Sequence, residues 1–175
     1  YIGCFHRGHL SGRGVMKYAR GESFDGNFLN GFPYGEGKYT FSDGGYYDGE
    51  YKATKINKST LLEAPLCNGK REGFGLRVFT NGSRYTGQWF DDKMHGQGQL
   101  LQAEGAGYEG IFFNGYRQGT GREQYGNIMG IPFHCSMGHF HPGTGYCQYK
   151  GNFVRDHWHG KGEYVCCDGR LFVGE

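Results

Sequence analysis

The sequence predicts an all-β fold, an antiparallel meander of repeated β-hairpins, and three observations carry that expectation. The first is a period. An aromatic, a glycine and a second aromatic on alternate residues recur at Tyr1-Gly3-Phe5, Phe24-Gly26-Phe28, Tyr47-Gly49-Tyr51, Tyr85-Gly87-Trp89, Tyr108-Gly110-Phe112 and Tyr149-Gly151-Phe153, and Phe172-Gly174 begins the pattern again. The starts at 1, 24 and 47, at 85 and 108, and at 149 and 172 are 23 residues apart; the step from 47 to 85, 38 residues, is that period with 15 added. A fixed period of this size marks a repeat architecture, in which each unit stacks on its neighbours. The second observation is the alternation itself, because period 2 puts positions 1, 3 and 5 of each repeat on one face of a strand. The third is a turn-forming dipeptide at each end of the strands.

The elements follow in order within each repeat. The aromatic-glycine run is strand A. A loop carrying Gly or Asp comes next, as in Asn30-Gly31, Asp91-Asp92, Asn114-Gly115 and Arg155-Asp156. A Gly-x-Gly pair then opens strand B: Gly12/Gly14, Gly35/Gly37, Gly73/Gly75, Gly96/Gly98, Gly119/Gly121 and Gly160/Gly162, with Gly143/Gly145 as an extra copy. Strand-forming residues complete it, such as Lys38-Tyr39-Thr40-Phe41, Leu76-Arg77-Val78-Phe79 and Glu163-Tyr164-Val165-Cys166. Asp43-Gly44, Asn81-Gly82 and Asp168-Gly169 turn the chain into the next strand A. Folding A back on B sets Gly3 opposite Gly14 and Phe5 opposite Gly12, and the same register places Phe28 near both Gly14 and Gly35. Glycine weakens a strand unless it serves packing, and here a ring lying on backbone that has no Cβ supplies the reason.

Composition agrees. The 35 glycines stand largely in register with the aromatics, and 14 Tyr, 14 Phe and 2 Trp are too many for a disordered chain. A net charge of +2, with basic residues dispersed among acidic ones, argues against nucleic acid as a partner. No apolar run reaches the roughly 20 residues of a membrane-spanning helix. Residues 1–175 read as one array, with repeats starting near 1, 24, 47, 85, 108, 149 and 172, a degenerate repeat at about 127–148 and an insertion at about 52–66.

Tyr-x-Gly-x-Phe/Trp, then a Gly or Asp, then Gly-x-Gly, closed by Asp-Gly, resembles the MORN repeat, the membrane occupation and recognition nexus motif. Tyr85 to Gly98 is the clearest copy. The resemblance implies an elongated, twisted, open-ended, single-layer antiparallel sheet used for assembly at membranes, cytoskeletal structures and cilia. The same repeats also occur appended to lipid kinases, methyltransferases and exchange factors.

Other patterns carry less. His134, Cys135, His139, His141 and Cys147, with Cys166 or Cys167, could ligate zinc, but no Cys-x-x-Cys is present and the spacing fits none of the usual zinc patterns, so no metal and no cofactor is expected. Cys4 and Cys67 share no framework position, which suits reduced thiols in the cytoplasm. The sequons Asn57-Lys58-Ser59 and Asn81-Gly82-Ser83 are read as chance, the second already having a turn role. Gly105, Gly107 and Gly110 spell a dinucleotide fingerprint, but a strand A follows where that mechanism needs a helix N-terminus. His95 and His159 precede Gly-x-Gly at equivalent loop positions and offer no nucleophile-base pair, so no enzyme is expected.

The second face of the strands varies. Asp25, Asn27 and Leu29, then Asp48, Glu50 and Lys52, make it solvated in early repeats. In the middle it becomes apolar: Phe74, Leu76, Val78, Phe90, Leu101, Ile111 and Phe113 are the expected partner-binding residues. Burial under the insertion or under 127–148 is the competing reading. An extended repeat surface without a catalytic constellation, joined to what the resemblance implies, points to a cytoplasmic scaffold that assembles proteins of a cytoskeletal structure such as the axoneme of a cilium or flagellum. The alternatives are a membrane- or phosphoinositide-proximal module, with Lys52, Lys55 and Lys58 as its basic edge, and a targeting domain of a larger enzyme.

Overall fold

The computed structural model describes residues 1–52, 69–125, 147–166 and 169–175. Among them are thirteen strands and no helix. The A strands are β1 (Ile2–His6), β3 (Ser23–Leu29), β5 (Tyr46–Lys52), β7 (Arg84–Phe90), β9 (Gly107–Phe113), β11 (Cys147–Val154) and β13 (Leu171–Gly174). The B strands are β2 (His9–Lys17), β4 (Phe32–Thr40), β6 (Lys70–Val78), β8 (Lys93–Leu101), β10 (Tyr116–Tyr125) and β12 (His157–Val165). They form one open sheet in chain order, β1 to β13. The expected all-β meander of hairpins is therefore the fold. The insertion beyond Lys52 and most of the 127–148 segment lie outside the described residues. The described chain falls into two compact units, residues 1–80 with 88–93 and residues 81–87 with 94–175.

Turn chemistry closes the hairpins as the dipeptides require. Both residues of each A-to-B turn among the described residues have positive φ, for example Asn30 (51°) with Gly31 (89°) and Asp91 (51°) with Asp92 (66°), the twist of a two-residue type I′ turn. The B-to-A turns need only one such residue: at Gly44 (φ 87°) the N–H donates to Phe41 O at 3.0 Å while Phe41 N–H donates to Gly45 O at 2.8 Å.

Register departs from expectation at one place in each of the hairpins β1–β2, β3–β4, β5–β6, β9–β10 and β11–β12. Gly3 does face Gly14, but Phe5 lies opposite Leu10, not Gly12, because the ladder shifts between Gly3 and Phe5. The same shift falls between Gly26 and Phe28, between Gly49 and Tyr51, and between Gly151 and Asn152. Phe28 consequently faces Gly12 on one side and Pro33 on the other, instead of standing near Gly14 and Gly35. The cause is the first glycine of each pair: Gly12 and Gly35 take φ of 70° and 69°, a left-handed residue that inserts a β-bulge.

The ring that covers glycine is accordingly the first aromatic of the repeat, not the second. A Cβ on Gly26 or Gly37 would overlap the Phe24 ring, and one on Gly110 or Gly121 the Tyr108 ring. The second aromatic packs edge-on against it, in its own repeat and from the next. In the first unit Phe24 meets Phe28 at 5.1 Å and Tyr51 at 5.2 Å, and Tyr47 meets Tyr51 at 5.3 Å and Trp89 at 5.1 Å. In the second unit Tyr108 meets Phe112 at 5.1 Å and Phe153 at 4.9 Å. Edge-to-face geometry suits the ring quadrupole. Phe24, Tyr47, Tyr85, Phe112 and Phe153 are essentially inaccessible to solvent and constitute the core. No hairpin could bury these rings alone.

Candidate interaction surface

The most buried charges serve the sheet. Arg71 and Arg117 are the second residues of β6 and β10, and each reaches the turn aspartate of the next repeat. Arg71 donates from its backbone N–H (3.1 Å) and Nε (3.0 Å) to Asp92 Oδ1 and from NH2 to Asp92 O (2.8 Å), while Asp92 N–H donates back to Arg71 O (3.2 Å). Arg117 repeats this with Asp156 at 2.8, 3.2, 2.7 and 3.1 Å. Each guanidinium also covers a ring, Arg71 that of Trp89 at 4.5 Å and Arg117 that of Phe153 at 5.2 Å. Arg117 pairs further with Glu123, which accepts the Trp158 indole N–H at 2.8 Å. Burial opposes the Arg117 charge, yet Glu123 and Asp156 together raise its pKa. Arg77 lies 3.7 Å over the Phe41 ring, and burial lowers its pKa. Neither arginine clasp stood out in the sequence, although arginines two residues before the Gly-x-Gly pairs at 73 and 119, matched with aspartates at 92 and 156, were the signal available.

Tyrosine hydroxyls are likewise structural. Tyr47 donates to Glu50 O at 3.1 Å, Tyr108 to Ile111 O at 3.0 Å and Tyr149 to Asn152 O at 3.1 Å, pinning each ring over its glycines. Burial pushes the Tyr108 hydroxyl up to about 12, and raises Tyr47, Tyr51 and Tyr85 further.

What remains for binding is the second face. In the first unit Phe74 is 57% exposed and Phe90 53%, with Leu76 and Val78 half-buried. In the second unit Phe113 is 54% exposed, against the His95 ring at 5.2 Å, with Leu101 and Ile111 half-buried. All seven residues expected to form the patch thus retain accessible surface. Sequence reasoning missed a neighbour of the second group, a trough of about 940 Å3 on the same face lined by Glu109, Thr120, Arg122, Lys150, Lys161 and Glu163. Its charges are of mixed sign and spread over four strands, which is why no local motif announced it.

Cys147 is buried; His134, Cys135, His139 and His141 lie outside the described residues. Among the described residues no three His, Cys, Asp or Glu side chains stand together as a metal site would require. Lys52 lies 3.8 Å from Glu50, while Lys55, Lys58, Asn57 and Cys67 are outside the described residues. Asn81 accepts from Ser83 N–H at 3.0 Å, the turn role its sequence suggested. Tyr108 to Phe112 lie within the strand β9, so the Gly105-Gly107-Gly110 match has no helix N-terminus behind it.

An open sheet of stacked hairpins, with an aromatic core in each unit, defines a β-hairpin repeat protein. The family model of the MORN repeat matches residues 1–23, 24–46, 68–84, 85–106, 108–127 and 149–169, well over half of the chain, and the protein belongs to that family. Alsin from Rattus norvegicus and alsin from Homo sapiens are each 31% identical to it over 113 residues, 64% of this chain. The matched stretch is 6% of the length of either alsin. MORN repeats are modules for protein or membrane-lipid interaction and are generally non-catalytic.

Proposed function

We propose that this protein is a non-catalytic scaffold that binds other proteins along the second face of its sheet, within a cytoskeletal assembly such as a ciliary or flagellar axoneme. The observation that carries the reading is the exposure of Phe74 and Phe90 beside half-buried Leu76 and Val78 in the first unit. Large aromatics held rigidly on a sheet are the residues from which interface anchors are drawn. Among the described residues the buried charges and hydroxyls named above have structural partners within the sheet. Affinity purification of the tagged protein from ciliated cells, read by mass spectrometry, tests the assignment: enrichment of axonemal or other cytoskeletal proteins is expected, and their absence would reject the location. A membrane-proximal module is the second reading, resting on Lys52 and the lysines that follow it. Cosedimentation with phosphoinositide vesicles, abolished by Lys52→Glu/Lys55→Glu/Lys58→Glu, would favour it instead. A third reading, a targeting module of a larger enzyme, draws on alsin, where a similar stretch is a small part of a long chain.

A further inference from the structure

Cys147 opens β11 and Cys166 directly follows β12. These strands pair with Gln148 opposite Val165 and Tyr149 opposite Tyr164, so one more step of the ladder sets Cys147 opposite Cys166. Each cysteine lies two residues from one of those tyrosines and shares the aromatic-glycine face with it. Both are buried, 3% and 8% exposed. The turn beyond β12 settles which kind of cross-strand pair this is. Cys166 N–H donates to Arg170 O at 2.8 Å, and Cys166 O accepts from Gly169 N–H at 2.9 Å. Both backbone groups of Cys166 are therefore turned toward the β13 side and away from β11. Opposite Cys147 this leaves a non-hydrogen-bonded position, where Cα atoms stand about 4.5 Å apart and side chains approach most closely. A disulfide needs Cα atoms about 4.4 to 6.8 Å apart with converging Cβ atoms. The ladder position meets the Cα requirement, and no disulfide joins the two in this structure.

We propose that Cys147 and Cys166 are a redox-modified thiol pair, converted by a low-molecular-weight disulfide of the glutathione class into a cross-strand disulfide that staples the β11–β12 hairpin. Cys166 sits at the end of its strand beside the four-residue β13, where local opening costs least. Its thiolate attacks one sulfur of oxidised glutathione, forming a mixed disulfide and releasing one glutathione thiolate. The Cys147 thiolate then displaces the second glutathione from Cys166. Two protons and two electrons leave the cysteines, and one oxidised glutathione becomes two reduced ones. The inference is independent of the scaffold reading.

The test uses the full chain carrying Cys135→Ala and Cys167→Ala, which leaves the ladder pair untouched. After oxidised glutathione, denaturing alkylation and trypsin, the peptide spanning residues 123–150 is expected joined to that spanning 162–170, and dithiothreitol should separate them. In that variant Cys147 and Cys166 are the sole cysteines in those peptides. Amide exchange in β11 and β12 should slow on oxidation on the order of tenfold or more. Should that variant not fold, fragmentation of the same linked peptides from the unsubstituted protein must locate the bond between Cys147 and Cys166. Alkylation of both thiols in folded, oxidised protein would overturn the proposal. So would pairing of either with another cysteine, or stoichiometric zinc lost on Cys147→Ser.

Discussion

At Gly35 the backbone takes a φ of 69° and a Cβ would meet nothing nearer than Asn27 at 3.8 Å; at Gly37 the φ is ordinary but the Phe24 ring fills the space. The two glycines of one Gly-x-Gly pair thus answer to different physics, conformation at the first and contact at the second. Gly35→Ala should cost about 1–2 kcal/mol, the strain of an L-residue in the left-handed region, and Gly35→Asn should recover part of it. Gly37→Ala should cost about 1–3 kcal/mol by overpacking, and Gly37→Asn more, because no backbone preference can relieve a clash. Chemical denaturation of the four variants checks the opposite ordering of Ala and Asn at the two sites. The tyrosines give a pH signature. Tyr108 has its pKa raised by burial to about 12, so folding favours its neutral form. Below its unfolded value near 10 that contribution is constant; above it the unfolded chain loses the proton first, and stability falls as pH rises toward 12. Thermal unfolding followed with tyrosinate absorbance should be flat up to about pH 10 and decline beyond it, and Tyr108→Phe should flatten the decline.

Within the hairpin, the second residue of the A-to-B turn is Gly31 or Gly115 where the preceding repeat offers Leu10 or Met94, and Asp92 or Asp156 where it offers Arg71 or Arg117. In all four cases that residue donates its N–H to the carbonyl of its partner, at 2.9 to 3.2 Å. The aspartate accepts a strained φ, 66° at Asp92, and gains the guanidinium clasp in return. Asp92→Gly should therefore destabilise the protein when Arg71 is present and stabilise it in an Arg71→Met background. The coupling, read from a double-mutant cycle in denaturant, should be about 0.5–3 kcal/mol. The hairpins themselves were legible, because Asp-Gly and Asn-Gly dipeptides and alternating aromatics encode turns and faces locally. The bulge was not, since it depends on the φ of one glycine, and pairing glycine with ring by simple fold-back put Phe5 two residues away from its true partner, Leu10. The arginine clasps escaped because each joins residues of two repeats, 21 or 39 positions apart.

Across the whole molecule one face is fixed by the period and the other is not. Rings over glycines recur in the repeats starting at 1, 24, 47, 85, 108 and 149, so their positions could be read from the sequence. The second face has no such constraint, and its apolar residues were recognisable only as a break in an otherwise polar pattern. A partner surface and a self-covered core make opposite demands on those residues, and the accessible areas of Phe74, Phe90 and Phe113 suit the first. The units are best tested separately: Phe74→Asp with Phe90→Asp in the first, and Phe113→Asp in the second. A charge placed on a side chain already half in water should shift stability by no more than about 0.5 kcal/mol. If these rings anchor a partner, losing one should cost about 2 kcal/mol or more of binding, roughly a thirtyfold rise in Kd for the protein recovered by affinity purification. Far-ultraviolet circular dichroism and thermal unfolding should meanwhile stay at the wild-type values. A collapse of the melting transition in either set would mean that a carboxylate had been forced into a buried apolar site, and the binding role of that group would then be withdrawn.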